Sequence, residues 1–189
     1  IAVLGAPRQA IRILKPIVVV DGSSLIALAP ADALTVDFSI DFDAPAIGRQ
    51  TLTLELVNGA FADSIAAART FGFAEEVDRL RAAGLARGGS LDNAIVVDGA
   101  RILNPGGLRF EDEFVRHKIL DVIGDLALIG YPLIGHVVAH RGGHALHASF
   151  TQKILGDSFA WKLVESLDKS SDEGHSTVTT KADMPAAAN

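Results

Sequence analysis

Ala33-Leu-Thr-Val-Asp-Phe-Ser-Ile-Asp-Phe42 sets Leu34, Val36, Phe38, Ile40 and Phe42 against small or acidic neighbours in strict alternation. Successive side chains of a strand point to opposite faces, so this decapeptide reads as a half-buried strand with one apolar and one wet face. Such a strand needs a second layer over its apolar side. Around it the same signal repeats. Residues 11–13, 17–20 and 25–28 are short aliphatic or β-branched runs separated by Lys15-Pro16 and Asp21-Gly22-Ser23-Ser24. Residues 51–57 alternate again, 94–97 and 101–103 flank the turn pair Asp98-Gly99, and 135–140 form a further strand.

The covering layer is legible in Leu108-Arg-Phe-Glu-Asp-Glu-Phe-Val-Arg-His-Lys-Ile-Leu-Asp121, whose apolar residues recur with helical spacing, in a helix expected to end near Gly130. Residues 60–69 and 75–83 predict shorter helices, the second stopping at Gly84, and His144 opens a long helix to about residue 167. From Asp168 onward apolar periodicity is lost, which predicts a folded unit over 1–167 and a disordered tail over 168–189. The fold class expected is α+β: a two-layer sandwich of a small β-sheet packed on helices, without strict βα alternation.

Composition narrows the function. A net charge of −6 argues against a general nucleic-acid or anionic-membrane binder. No apolar run approaches the roughly 20 residues of a transmembrane helix; the richest segment, 119–134, is broken by Asp121, Asp125, two glycines and Pro132. The chain has no cysteine, which removes disulfides, thiolate metal sites and a cysteine nucleophile, and fits a cytoplasmic enzyme. It begins at Ile1, its sole methionine is Met184, and no signal peptide precedes the first strand. A fragment or processed piece of a longer protein is therefore expected.

His117 and Asp121 stand four residues apart, on one helix face about one turn from each other. An imidazole and a carboxylate so placed can grip one zinc ion, supplying two of the three protein ligands that a catalytic site needs. The plainer reading is an i, i+4 ion pair on a solvated face. Asp125 is a third ligand, a surface charge, or the carboxylate that orients a histidine. His136, His140 and His144 repeat every four residues, but Val137-Val138 and the glycines at 135, 142 and 143 disfavour the helix that a three-histidine site would need. His144 itself opens a helix after a Gly-Gly turn, where a side chain can project into a cleft. Thr70 puts a hydroxyl beside Phe71 and Phe73 at what reads as a helix-to-helix junction, either a packed loop or the mouth of an apolar passage. Lys118 and Arg141 are the cations nearest these groups and suit phosphates, or are simply solvated.

Arg69-Thr-Phe-Gly-Phe73, Gly88-Gly-Ser90, the 108–121 stretch with Gly124-Asp125, and Gly143-His-Ala-Leu146 occur in an order and spacing that resemble the bacterial UDP-3-O-acyl-N-acetylglucosamine deacetylases. These are the zinc amidases of the committed step of lipid A synthesis in Gram-negative bacteria. The resemblance covers roughly residues 8–161 and corresponds to the second, C-terminal half of the family's chain. It implies one of two similar domains, carrying a βαβ insert at about 72–97 that shapes a passage for the substrate's acyl chain. It further implies Zn2+ held by His117 and Asp121, His144 as general acid or transition-state cation, Asp125 orienting it, and Thr70 polarising the acetyl carbonyl. By the same resemblance Lys118 and Arg141 lie near the diphosphate, Asp41 and Phe42 meet uracil, and Phe71 and Gly89 line the passage. The family's remaining ligand is a histidine preceded by a general-base glutamate, both in the first domain; no Glu-His pair occurs in this sequence. His147 stands where the family usually has asparagine. The substrate implied is UDP-3-O-acyl-N-acetylglucosamine and the partner implied is the enzyme's first domain; the competing reading is a non-catalytic nucleotide-sugar or acyl-chain binding module.

Overall fold

In the computed structural model, which describes residues 8–57, 59–84 and 88–166, alternation in the sequence becomes a sheet centred on one strand. The strands are β1 (Arg8–Ile13), β2 (Ile17–Asp21), β3 (Ser24–Ala29), β4 (Leu34–Asp41), β5 (Arg49–Glu55), β6 (Thr70–Phe73), β7 (Ala94–Asp98), β8 (Arg101–Ile102), β9 (Leu133–His140) and β10 (Trp161–Ser166). The helices are α1 (Ala60–Ser64), α2 (Ala74–Ala82), α3 (Glu113–Leu126) and α4 (His144–Gly156). Strand β9 pairs in parallel with β4 and antiparallel with β3 through the same residues, so both its edges are occupied. β5 extends the sheet beyond β4, β2 beyond β3, and β1 meets the start of β9 in parallel while carrying β10 on its other side.

The inward residues are those the period-two pattern selects. Val36, Phe38 and Ile40 of β4 are fully buried, in register with Val137 and Ala139 of β9. Gly135 is required by close approach: a Cβ there would stand 2.9 Å from Leu28 and 3.0 Å from both Ile13 and the Ala29 carbonyl. Helices α3 and α4 cover this face and contact each other, α3 lying on β4 and β5 and α4 on β2 and β3. Phe114, Val115, Ile119 and Val122 of α3 and Phe150 and Ile154 of α4 complete the core. Helix α3 passes into a single 3-10 turn over Ala127–Ile129 and stops at Gly130, whose φ of 85° is the left-handed conformation that closes helices. This is a two-layer α+β architecture.

A second sheet of three strands has the order β6-β7-β8, with β6 and β7 parallel and α2 between them. That β6–α2–β7 unit spans residues 70–98. Three local expectations change. The helix expected over 60–69 closes after Ser64, and Thr70–Phe73 is a strand rather than a helix-to-helix junction, because its backbone finds a partner in β7. The last helix ends at Gly156 rather than near 167; the chain turns at Asp157 and returns as β10 along the edge of β1. Trp161 anchors the return, its Nε1–H donating to the Ile154 carbonyl at 2.9 Å. The tail expected over 168–189 lies outside the described residues. Among the described residues no helix is long and apolar enough to cross a membrane.

Candidate active site

The site is assembled where the ends of β4, β6 and β9 meet α3. His117 and Asp121 leave α3 one turn apart, each side chain 14% exposed, with His117 Nε2 3.2 Å from Asp121 Oδ1. This is no solvated surface pair. The other imidazole nitrogen, Nδ1, donates to the Ala68 carbonyl at 3.4 Å, a bond that orients the ring with Nε2 turned to Asp121. Lys118 Nζ donates to Asp121 Oδ2 at 2.8 Å, so Oδ1 is the oxygen turned to His117. Burial opposes charge on Asp121, but the hydrogen bonds from His117 and Lys118 outweigh it and hold the carboxyl at about 2. Two donors bound about 2.0–2.2 Å from a tetrahedral zinc stand roughly 3.3 Å apart. The 3.2 Å separation found here fits such an ion, with one nitrogen and one carboxylate oxygen as its donors.

Asp125, one further turn along α3, does not join that pair. Its Oδ2 accepts from His144 Nδ1 at 2.8 Å and from His147 Nδ1 at 2.7 Å, tying α3 to the first turn of α4. His144 is 71% exposed, whereas His147 is fully buried. These three side chains also form a group whose ligand atoms lie within 4.8 Å of one another. Both nitrogens sit at hydrogen-bond distance from a single oxygen, which is the geometry of a carboxylate serving two N–H donors.

His117, Lys118, Asp121 and His144 line one cleft of about 860 Å³ together with Asp41, Phe42, Thr70, Phe71 and Arg141. Gly89 lies exposed in the loop before β7 and is not among the lining residues. The apolar wall is aromatic: Phe71 packs edge-on against Phe42 at 5.6 Å, Phe114 at 5.1 Å and the His117 ring at 6.2 Å. Arg141 follows β9 with a φ of 51°, a left-handed backbone that costs a non-glycine residue about 1–2 kcal/mol. Its N–H donates to the Ser39 carbonyl and its own carbonyl accepts from Ser24 Oγ, both at 2.9 Å, which holds the turn.

Thr70 is placed by a buried ion pair one residue before it. Glu113, with no exposed surface, accepts from Arg69 N, Nε and Nη2 at 3.0, 2.9 and 3.0 Å and from Arg109 N at 2.6 Å. Arg69 Nη2 also donates to the Gly107 carbonyl at 2.8 Å. One carboxylate thus joins the start of β6, the 104–109 loop and the first turn of α3. His136 and His140 stand apart from the cleft on the outer sheet face, His136 donating to Asp37 and His140 contacting Ser39 Oγ, each at 2.8 Å. Phe73, read with Phe71 beside Thr70, is in the cleft wall, whereas sequence reading missed Ser24 and Glu76 there and His147 as a partner of Asp125.

The sequence model of the UDP-3-O-acyl N-acetylglycosamine deacetylase family matches residues 1–156. The chain belongs to this deacetylase family. A UDP-3-O-acyl-N-acetylglucosamine deacetylase of Oleidesulfovibrio alaskensis is 48% identical over 182 residues, covering 96% of this chain and 60% of the relative. One from Anaeromyxobacter is 45% identical over 181 residues, 96% of this chain and 56% of its own length. One from Nitratiruptor is 51% identical over 158 residues, 84% of this chain and 53% of its own. The chain therefore spans between half and three fifths of the length of these deacetylases.

Proposed function

We propose that this chain is the cleft-bearing portion of a zinc-dependent deacetylase. It would hydrolyse the N-acetyl group of UDP-3-O-acyl-N-acetylglucosamine at the committed step of lipid A synthesis, in the cytoplasm of a Gram-negative bacterium. The first domain of the same enzyme would bring the third zinc ligand and the general-base glutamate. The observation that carries this reading is that the buried His117–Asp121 pair and a carboxylate-bound His144 open onto one cleft.

His117 Nε2 and Asp121 Oδ1 would hold the zinc, which supplies Lewis acidity and makes water nucleophilic at neutral pH. Thr70 is exposed at the start of β6, where its hydroxyl can donate to the acetyl oxygen as negative charge develops there. His144, oriented through Nδ1 by Asp125, presents Nε2 to protonate the departing amine. Lys118 and Arg141 bring positive charge to the diphosphate, and Asp41 with Phe42 at the end of β4 faces the uracil. Phe71 and the aromatic wall suit the acyl chain.

The test is acetate release from the sugar nucleotide by the complete protein and by this chain alone, scored with zinc content. We expect zinc in the complete protein and an inactive isolated chain. His117→Ala in the complete protein should lose metal and more than about 100-fold in rate, since even a hydrogen-bond partner of a ligand is worth 10–100-fold. Tight binding of the sugar nucleotide without acetate release would instead establish the non-catalytic binding module.

A further inference from the structure

The chemistry just described leaves one fully buried imidazole unused. His147 sits in the first turn of α4, with Nδ1 2.7 Å from the same Asp125 oxygen that His144 uses. The Phe38 ring packs edge-on against it at 6.3 Å, and the Gly142 backbone lies so close that a Cβ there would stand 2.7 Å from His147 Nε2. Walled in this way, the ring has one polar partner among the described residues, and that partner meets Nδ1 while Nε2 has none there. A 180° turn of the ring would put a carbon where Nδ1 now donates and forfeit the bond. The neutral tautomer with its proton on Nδ1 is the form that satisfies Asp125.

We propose that His147 is a positioning residue: its Nδ1–H pins Asp125 Oδ2 at the point where that oxygen receives His144 Nδ1. Asp125 is 22% exposed and, without the pin, is free to turn its carboxylate to solvent. Pinning by a neutral donor leaves the negative charge available to His144, which a cationic partner would cancel. Burial, first of all, keeps His147 from protonating; Asp125 pulls the other way, while Lys118 and His144 add to the effect of burial. The proposal rests on the reading of His144 as the acid of a deacetylase for its catalytic consequence. The pin itself does not depend on it.

Two amide variants separate a hydrogen-bonding role from a packing role. The asparagine amide nitrogen reaches where imidazole Nδ1 lies, and the glutamine amide nitrogen where Nε2 lies, while glutamine is nearer to histidine in volume. In the complete protein, His147→Leu should lower kcat about 10-fold or more with KM little changed. His147→Asn should recover most of that loss and His147→Gln should not. Recovery by glutamine alone, or equal recovery by both, would overturn the proposal. Long-range proton–nitrogen NMR of this chain supplies a readout independent of activity, and remains decisive if His147→Leu fails to fold. We expect His147 protonated on Nδ1 and bare on Nε2 at pH 8. An Nε2-protonated ring sinks the pin, whereas a complete protein that releases no acetate sinks the functional reading and leaves the NMR result to decide the pin.

Discussion

Replacing Arg69 with methionine keeps the length of the side chain and removes its charge from a buried site. Glu113 would lose the Nε and Nη2 donors and the Gly107 carbonyl would lose its partner, leaving a carboxylate with no exposed surface and only two backbone N–H groups, those of residues 69 and 109. Breaking a buried pair from one side costs about 3–5 kcal/mol, because the remaining charge stays buried. Against a total of roughly 5–15 kcal/mol that is a large share, and at about 2–4 °C per kcal/mol it lowers Tm by roughly 6–20 °C. Urea unfolding at pH 7, followed by far-UV circular dichroism, measures it directly. The double variant Arg69→Met/Glu113→Leu should regain most of the loss, since it buries no uncompensated charge. The pH dependence has a fixed sign. Burial works against ionised Glu113, yet the Arg69 and Arg109 hydrogen bonds prevail and hold its carboxyl below the usual range. Its contribution is thus complete above the unfolded value of about 4.3 and fades as pH falls through the folded one. The gap between wild type and Arg69→Met should narrow below about pH 4. A loss under about 1 kcal/mol at pH 7, or a double variant as unstable as the sum of the singles, would refute this account.

Asp121→Asn should cost about 2 kcal/mol near neutral pH, from a carboxyl held at about 2 against about 3.9 unfolded. That difference should vanish as pH falls from 4 towards 2 in acid-unfolding curves. Gly135→Ala should destabilise by roughly 1–3 kcal/mol in urea titrations, because the new methyl meets Leu28, Ile13 and the Ala29 carbonyl at about 3 Å. Arg141→Gly should relieve about 1 kcal/mol of backbone strain at φ 51°. In the complete protein the same change should raise KM for the sugar nucleotide more than it lowers kcat.

What was legible in the sequence was what depends on local period. Val36, Phe38 and Ile40 announced the buried face of β4, and the four-residue step from His117 to Asp121 announced a shared helix face; both hold. Pairings that close across elements were not legible. Glu113 follows Glu111 and Asp112 with nothing local to mark it as buried, and its partner is 44 residues away. His147 drew notice only as an unusual residue type, since its contact with Asp125 spans 22 residues between two helices. Thr70–Phe73 is too short to declare itself a strand without β7, and β10 was absorbed into the preceding helix although Gly156 and Asp157 mark a stop.

Strand β9 is hydrogen-bonded along both edges, and the turn that follows it carries Arg141 and leads into His144. Across the cleft, Thr70 and Phe71 ride on β6, an outer strand of the three-stranded sheet, paired along one edge only among the described residues. The cleft is therefore mechanically lopsided, a stiff jaw facing a compliant one. Thermal changes in its width fall on the β6 side, while the turn that carries Arg141 and leads into His144 keeps its place.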